Sequence, residues 1–297
     1  MKRRIGVLIN PSSGGGRVTR HSAEVLRGLA SRGDEVLAIQ GDTEAHAREL
    51  VEQAVSEGLD ALVAVGGDGT VHLALQSVVG TDTALGIVPL GTGNDAATTV
   101  GLGKIGRAGA VSVILAGHSR KFDVGRVETA DATVRHFLCV MSSGFDSGAN
   151  ERANAMSWPS GTALYIRAML SELRTFRPIA YRAVLDDEVV VRDGMMVSVG
   201  NGPLFGGGMK VCDGADVHDG MLDVVWLNTV SRRRLLAIFP KVYSGKHLND
   251  PAVQTWRVRS VSLEAPGQVA YADGEPVGPL PVTVTTVPDG VRVLVPG

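Results

Sequence analysis

Two glycine-rich segments, Val65-Gly66-Gly67-Asp68-Gly69-Thr70 and Pro89-Leu90-Gly91-Thr92-Gly93-Asn94-Asp95, each follow an apolar run, Ala61–Val65 and Leu85–Val88. A strand that stops in glycines leaves main-chain N–H groups exposed at close approach, an arrangement that holds phosphate oxygens. Asp68 and Asp95 add carboxylates within reach of a magnesium ion or a reacting hydroxyl. Two such turns, about twenty residues apart, read as one nucleotide site built from adjacent strand ends.

The chain before and after these turns follows the same plan. Ile5–Ile9 reads as a buried first strand, followed by the loop Asn10–Gly16, and a helix is expected over about Ser22–Ser31, stopped by Gly33. Val36–Ile39 reads as a second strand, Thr43 as the N-cap of a helix over Ala45–Glu57, and Val71–Val79 as a helix after the first glycine turn. Strands alternating with helices indicate a layered α/β unit with a largely parallel sheet, whose ligands sit at the C-terminal strand ends. From about Val124 the texture changes to short alternating runs: Val134–Met141, Tyr181–Val191, Met195–Val199, Leu222–Leu227 and Val258–Leu263, with turn signals at Asp186-Asp187 and Pro266-Gly267. Helices are expected at 162–175 and 231–243, and Val282–Val295 alternates around Pro288-Asp289-Gly290. The expected fold class is α/β: an N-terminal layered α/β nucleotide-binding domain and a C-terminal β-rich domain built as an antiparallel sandwich. The division falls at 1–123 and 124–281.

At 297 residues, 44% hydrophobic and 20% charged, the chain has the make-up of a globular protein with a substantial core. A net charge of −2 and only 4% aromatic residues disfavour nucleic-acid binding. Cys139 and Cys212 lack metal-ligand spacing and read as buried free thiols of a reducing, cytoplasmic compartment. Lys2-Arg3-Arg4 precedes an apolar run too short for a signal peptide, and no stretch approaches the roughly 18 apolar residues of a membrane span. Membrane contact is therefore expected to be peripheral. Lys2-Arg3-Arg4 and Arg232-Arg233-Arg234 are candidates for anionic headgroups, with plain solvation as the ordinary alternative.

The loop Asn10–Gly16 is no Walker A motif, because no Gly-Lys-Ser/Thr follows its glycines. Taken with the two later turns, however, it makes a third glycine-rich strand end. Gly66-Gly67-Asp68-Gly69-Thr70, Pro89-x-Gly91-Thr92-x-Asn94-Asp95 and Asn10-Pro11-x-Ser13-Gly14 together resemble the diacylglycerol kinase catalytic domain. The wider family includes sphingosine kinases and soluble bacterial lipid kinases. The resemblance continues through Lys121-Phe122-Asp123-Val124-Gly125, Ser143-Gly144-Phe145-Asp146, Asn201 with Gly206-Gly207-Gly208, Asp216-x-x-Asp219-Gly220-Met221-Leu222-Asp223 and Asp273-Gly274-Glu275. It spans nearly the whole chain in order.

The resemblance implies an ATP- and Mg2+-dependent kinase acting on a lipid hydroxyl, with diacylglycerol as the leading acceptor and phosphatidic acid as product. It implies ATP in a cleft between the two domains, and C-terminal strands 282–297 that return to the first. ATP contacts carry over to Asn10, Pro11, Ser12, Ser13, Gly14, Thr43, Gly67, Asp68, Gly69, Thr70, Val71, His72 and Thr92. Glu275 becomes the general base, Asp68 its alternate, and Asp95 and Asp123 join Asp68 in a water-and-magnesium network. Asp216, Asp219 and Met221 match a structural magnesium site that takes carbonyls at the outer positions and the middle carboxylate. His218, where relatives often carry an acid, and His72-Leu73, where they often carry Asn-Glu, depart from the pattern.

A membrane-presented lipid substrate is implied, and an apolar stripe of Leu164, Ile166, Met169, Leu170 and Leu173 is a candidate lipid-facing surface with core packing as its alternative. A homodimer through the β-rich domain stays open. Other acceptors, a sphingoid base or another glycerolipid, are separated by pocket shape and not by motifs. NAD kinases share the Gly-Gly-Asp-Gly-Thr turn, but the Pro-x-Gly-Thr-x-Asn-Asp block and the Asp-Gly-Glu turn argue against one. Intact carboxylates argue against a non-catalytic nucleotide sensor.

Overall fold

The computed structural model describes residues 2–9, 17–145, 171 and 177–297, and for residues 17–20 the backbone alone. The expected loop residues Asn10–Gly14, Asp146 and the stripe on the helix at 162–175 lie outside the described residues. The chain divides into two compact units, Met1–Val124 with Pro288–Gly297, and Gly125–Val287.

The first unit is a parallel sheet covered by helices. Strands β1 (Arg4–Ile9), β2 (Glu35–Ile39), β3 (Ala61–Gly66) and β4 (Ala84–Pro89) pair in the order β2-β1-β3-β4. The last strand of the chain, β15 (Val282–Leu294), adds beside β4 through Val293 opposite Leu85. β1, β3 and β4 read as unbroken apolar runs because both faces are covered, and Ile5, Val7, Val63, Val65 and Val88 are all fully buried. Helices α1 (Arg17–Ala30), α2 (Glu44–Ser56), α3 (Asp68–Val78), α4 (Asp95–Thr99) and α5 (Arg107–Ala116) connect the strands. Thr43 caps α2 as expected, its hydroxyl accepting the His46 N–H at 3.1 Å. α1 begins five residues earlier than its apolar pattern indicates. α3 starts at Asp68 because Gly67 holds the extended N-cap conformation. Arg3 and Arg4 serve the fold: Arg3 pairs with Asp34 at 2.7 Å and donates to the Ile114 carbonyl, and Arg4 pairs with Glu57. Two of the three residues of the N-terminal basic run are thus engaged within the fold.

The second unit is antiparallel. Its strands are the latter part of β5 (Ser119–Thr129), β6 (Val134–Phe137), β7 (Val140–Gly144), β8 (Ile179–Leu185), β9 (Glu188–Gly200), β10 (Leu222–Asn228), β11 (Val253–Val258), β12 (Ser260–Glu264), β13 (Val269–Ala272), β14 (Glu275–Pro279) and the first part of β15. One path runs β14-β13-β7-β9-β8-β12-β15, with β10 joining β9 to β11 and β6 pairing β5. Tyr181, Trp226, Val197 and Leu263 lie in its core, with the Tyr181 and Trp226 rings edge to face at 5.5 Å.

Two runs that read as single strands, Val134–Met141 and Val258–Leu263, are each broken in two. The cause is the same in both. An aspartate with left-handed backbone begins a hairpin turn and presents its carboxylate to main-chain N–H groups at the break. Asp186 (φ +50°) accepts from Arg259 and Ser260, and Asp273 (φ +51°) accepts from Leu138, Cys139 and Val140. A tertiary acceptor thus replaces the sheet ladder where the strand stops.

Helix α6 (Arg232–Val242) packs Leu235 and Ile238 inward and is capped by Ser231. Arg234 and Lys241 reach from it to the almost fully buried carboxylate of Asp250 at 2.7 and 3.2 Å. With Arg234 foremost, these contacts hold the Asp250 carboxyl down at about 2, below the ordinary 3.8. A depressed carboxyl stabilises the fold above the unfolded value and loses that contribution as pH falls toward the folded one. Asp250→Asn should therefore cost on the order of 1 kcal/mol near neutrality, discounted for the half-exposed basic partners. Its deficit relative to the parent should shrink between pH 4 and 2 in urea titrations; a constant deficit would refute the linkage.

Candidate functional site

β3 and β4 end in register, with Val65 opposite Val88 and Gly66 opposite Pro89, and the ladder continues one step as the Leu90 N–H donates to the Gly66 carbonyl at 2.8 Å. Both glycine turns therefore leave the sheet side by side. They then touch backbone to backbone: a Cβ added to Gly91 would stand 2.5 Å from Gly67 Cα and 2.9 Å from Asn94 Oδ1. A Cβ on Gly66 would meet the Thr70 hydroxyl at 2.3 Å. Glycine is required here by approach rather than by dihedral angle.

Asn94 closes the second turn. Its amide oxygen accepts the Gly91 N–H and its amide nitrogen donates to the Gly91 carbonyl, both at 2.9 Å, while its own backbone is left-handed at φ +56°. Asp68, the first residue of α3, crosses to the second turn and accepts the Ala96 N–H at 3.0 Å, so one carboxylate ties the start of α3 to the start of α4. Asp95 is buried within α4, and Thr92 is exposed at the turn. Gly67, Asp68, Gly69, Thr70, Val71 and His72 occupy the α3 N-terminus, and Gln76 approaches the His72 ring at 3.4 Å one turn on. Thr43 spends its hydroxyl on the cap of its own helix.

Asp123, buried on β5, accepts the Asp289 N–H at 2.8 Å and so anchors the returning C-terminal segment. Gly290 reinforces that return by accepting the Gly80 N–H. Asp123 therefore carries a structural contact besides the role expected of it.

Glu275 belongs to the second unit. It opens β14 after the two-residue turn Asp273-Gly274, where both residues have positive φ, the geometry that matches the strand twist of a tight hairpin. Asp273 fixes this turn by accepting from Leu138, Cys139 and Val140 at 2.8, 2.9 and 3.1 Å, and its own N–H donates to the Val140 carbonyl. The carbonyls of the same break go to Asn201: its side chain donates to Leu138 and its main chain to Cys139. Gly206, Gly207 and Gly208 all have positive φ and bring Phe205 and Met209 into mutual hydrogen bonds.

Asp216 accepts the His218 N–H at 3.1 Å, and Asp219 accepts the Met221 N–H at 2.8 Å while pairing with Arg257. Burial, with Asp219 nearby, raises the neighbouring Asp223 carboxyl against the pull of Arg257. Among the described residues no three His, Cys, Asp or Glu side chains converge as a metal cage. A hard ion held by the carbonyls of Asp216 and Met221 would have to share Asp219 with Arg257.

One feature went unread in the sequence. In the second unit, Met196, Val225 and Leu227 from the sheet and Leu235, Ile238 and Val242 from α6 enclose an apolar cavity of about 60 Å³. His247 lines it too; burial lowers the imidazole, and its Nε2 lies 3.0 Å from the Val211 carbonyl. The available signal was β10 itself, whose run Leu222–Leu227 carries apolar residues on both faces. One face fills the core and leaves the other to be covered.

The family model for the diacylglycerol kinase catalytic domain matches residues 4–127, and that for the YegS C-terminal NAD kinase beta sandwich-like domain matches residues 139–295. A diacylglycerol kinase of Mycobacterium tuberculosis is 40% identical over 294 residues, covering 99% of this chain and 95% of that protein. One from Bacillus subtilis is 22% identical over 298 residues, covering 99% and 97%. A crystal structure of a diacylglycerol kinase from Bacillus anthracis superposes with a TM-score of 0.74 at 19% identity, covering 99% of this chain and 97% of that one; it speaks for the fold.

Two outcomes follow from this geometry. Gly91→Ala should separate the turns, costing about 1–3 kcal/mol for an overpacked contact and abolishing ATP binding by calorimetry; binding at parental affinity would show that the turns need not touch. Asp273→Ala leaves three main-chain donors without their acceptor and should cost about 3 kcal/mol, read as a lower denaturation midpoint at unchanged slope.

Proposed function

The chain belongs to the diacylglycerol kinase family and is an ATP-dependent lipid kinase; from that premise we propose that its acceptor is the free hydroxyl of diacylglycerol, giving phosphatidic acid and ADP. The observation that supports the reading is the side-by-side exit of the two glycine turns at Gly66 and Pro89, a backbone arrangement suited to binding a polyphosphate.

In this mechanism Gly67 to His72 and Thr92 contact the nucleotide, with Asn10 to Gly14 and Thr43 as further contacts. The lipid oxygen attacks the γ-phosphorus as the bond to the β-phosphate oxygen breaks. Glu275 takes the hydroxyl proton as general base, and the rigid hairpin set by Asp273 keeps its carboxylate in place. Magnesium, when bound, would neutralise phosphate charge; Asp68, Asp95 and Asp123, which form no cage by themselves, would reach it through a network of its waters, as suits an ion that arrives with the phosphates. Asp216, Asp219 and Met221 are proposed as a separate structural ion site in competition with Arg257. The lipid is presented by a membrane surface. Among the described residues no helix is long and apolar enough to cross one.

The test is transfer of labelled phosphate from ATP with magnesium to mixed micelles of diacylglycerol, sphingosine, ceramide or monoacylglycerol, with NAD as control. Label is expected in phosphatidic acid. Glu275→Gln should lower turnover by about 10²–10⁴ while ATP affinity and the denaturation midpoint stay at parental values. Label in another lipid would reassign the acceptor, and full turnover by the variant would remove Glu275 from the role of base.

A further inference from the structure

The outer face of α6 does not look like an ordinary solvated helix. From Ser231 to Asn249 the chain has three arginines, two lysines and no acid, within a molecule whose net charge is −2. Arg234 and Lys241 are neutralised by Asp250 on one flank of the helix. Arg232 and Arg233, at its start, are exposed and make no ion pair among the described residues. Arg232, Leu236, Pro240 and Tyr243 recur at i, i+4, i+8 and i+11, one stripe of the helix, and all are exposed. Leu236 is 44% and Tyr243 39% accessible, among the few large apolar side chains exposed among the described residues. The stripe therefore combines unpaired positive charge at one end with apolar and aromatic groups along its length, while the opposite face of the same helix closes the apolar cavity.

We propose that this outer face of α6 is a docking surface for an anionic lipid bilayer. Arg232 and Arg233 meet the headgroups and Leu236 and Tyr243 enter the interface, as in helices that lie in the membrane plane. The inference rests on the lipid-kinase reading for its purpose: docking through α6 would hold the kinase at the bilayer that carries its acceptor. It differs from that reading in what it needs, since docking requires neither ATP nor an acceptor hydroxyl. The partner is recognised by charge and by apolar insertion, so an acidic protein surface, which lacks an apolar interior to enter, fits Leu236 and Tyr243 less well.

The experiment is co-sedimentation of the full chain, without nucleotide, with phosphatidylcholine vesicles and with vesicles containing 30 mol% phosphatidylglycerol, about three anionic lipids in ten. Binding is expected to the anionic vesicles and to fall with salt. Each basic residue at such a surface contributes on the order of fivefold in partitioning, so Arg232→Ala with Arg233→Ala should weaken binding about thirtyfold. Leu236→Gln should weaken it in high salt as well, where the electrostatic part is screened. Phosphorylation of a short-chain diacylglycerol dispersed below its aggregation limit should be unchanged in all variants, whereas the KM for vesicle-borne diacylglycerol should rise. Vesicle binding equal to the parent's in both variants would overturn the docking surface, whatever the kinase assay shows. Vesicle binding lost in the variants, with no lipid phosphorylated by the parent, would uphold the surface and overturn the acceptor instead.

Discussion

The contact between Gly67 and Gly91 is the constraint around which the first unit is organised. Parallel pairing of β3 with β4 in exact step brings Gly66 opposite Pro89, and the two chains then turn away with no side chain between them. Everything near the turns supports that approach: Asn94 closes its own turn onto Gly91, and Asp68 reaches across to the N–H of Ala96. In the proposed reading the main-chain donors of both turns would be positioned by the sheet rather than by mobile side chains. A polyphosphate site of this kind needs little charge of its own, which fits a chain with a net charge of −2.

The second unit carries Glu275, the base of the proposed reaction, at the start of an antiparallel hairpin strand. Asp273 and Asn201 divide the work at the break between β6 and β7. The first satisfies the donors of residues 138–140, the second the acceptors of 138 and 139. A hairpin tip is ordinarily among the softer parts of a fold. Here the tip is tied to an interior strand by charge-assisted hydrogen bonds, which are stronger than neutral ones. The rigidity of the turn that bears Glu275 thus comes from its neighbour in sequence, a residue with no chemical task in the proposed reaction.

Much of this was legible beforehand. The apolar runs of β1, β3 and β4, the Thr43 cap and the change to alternating strands after Val124 are local signals, because helix capping and strand burial depend on near neighbours in the chain. The glycine turns were legible because close approach tolerates no side chain. Less visible were α4 and α5. α4 spans only five residues and α5 is apolar over much of its surface, so neither offers a clear period. The breaks at Leu138–Cys139 and Arg259 could not be read at all. The aspartates that cause them lie 135 and 73 residues away in sequence. The cavity beneath α6 escaped notice for a similar reason, since it is made by two elements that are each unremarkable alone.

The amino-acid sequence by itself determined the family, the fold class and the residue types at the candidate site, because glycine, aspartate and asparagine in those patterns answer to steric and hydrogen-bonding demands that operate over a few residues. Tertiary structure alone decided what each polar group is used for. It assigned Asp273 to three amides, Asp123 to the returning C-terminal segment and Asp219 to Arg257, and it left Arg232 and Arg233 at the surface while committing Arg3 and Arg4 to the fold. A carboxylate or a guanidinium has the same chemistry wherever it stands in the chain. Its partner, and hence its function, is fixed only when distant segments are brought within hydrogen-bonding distance.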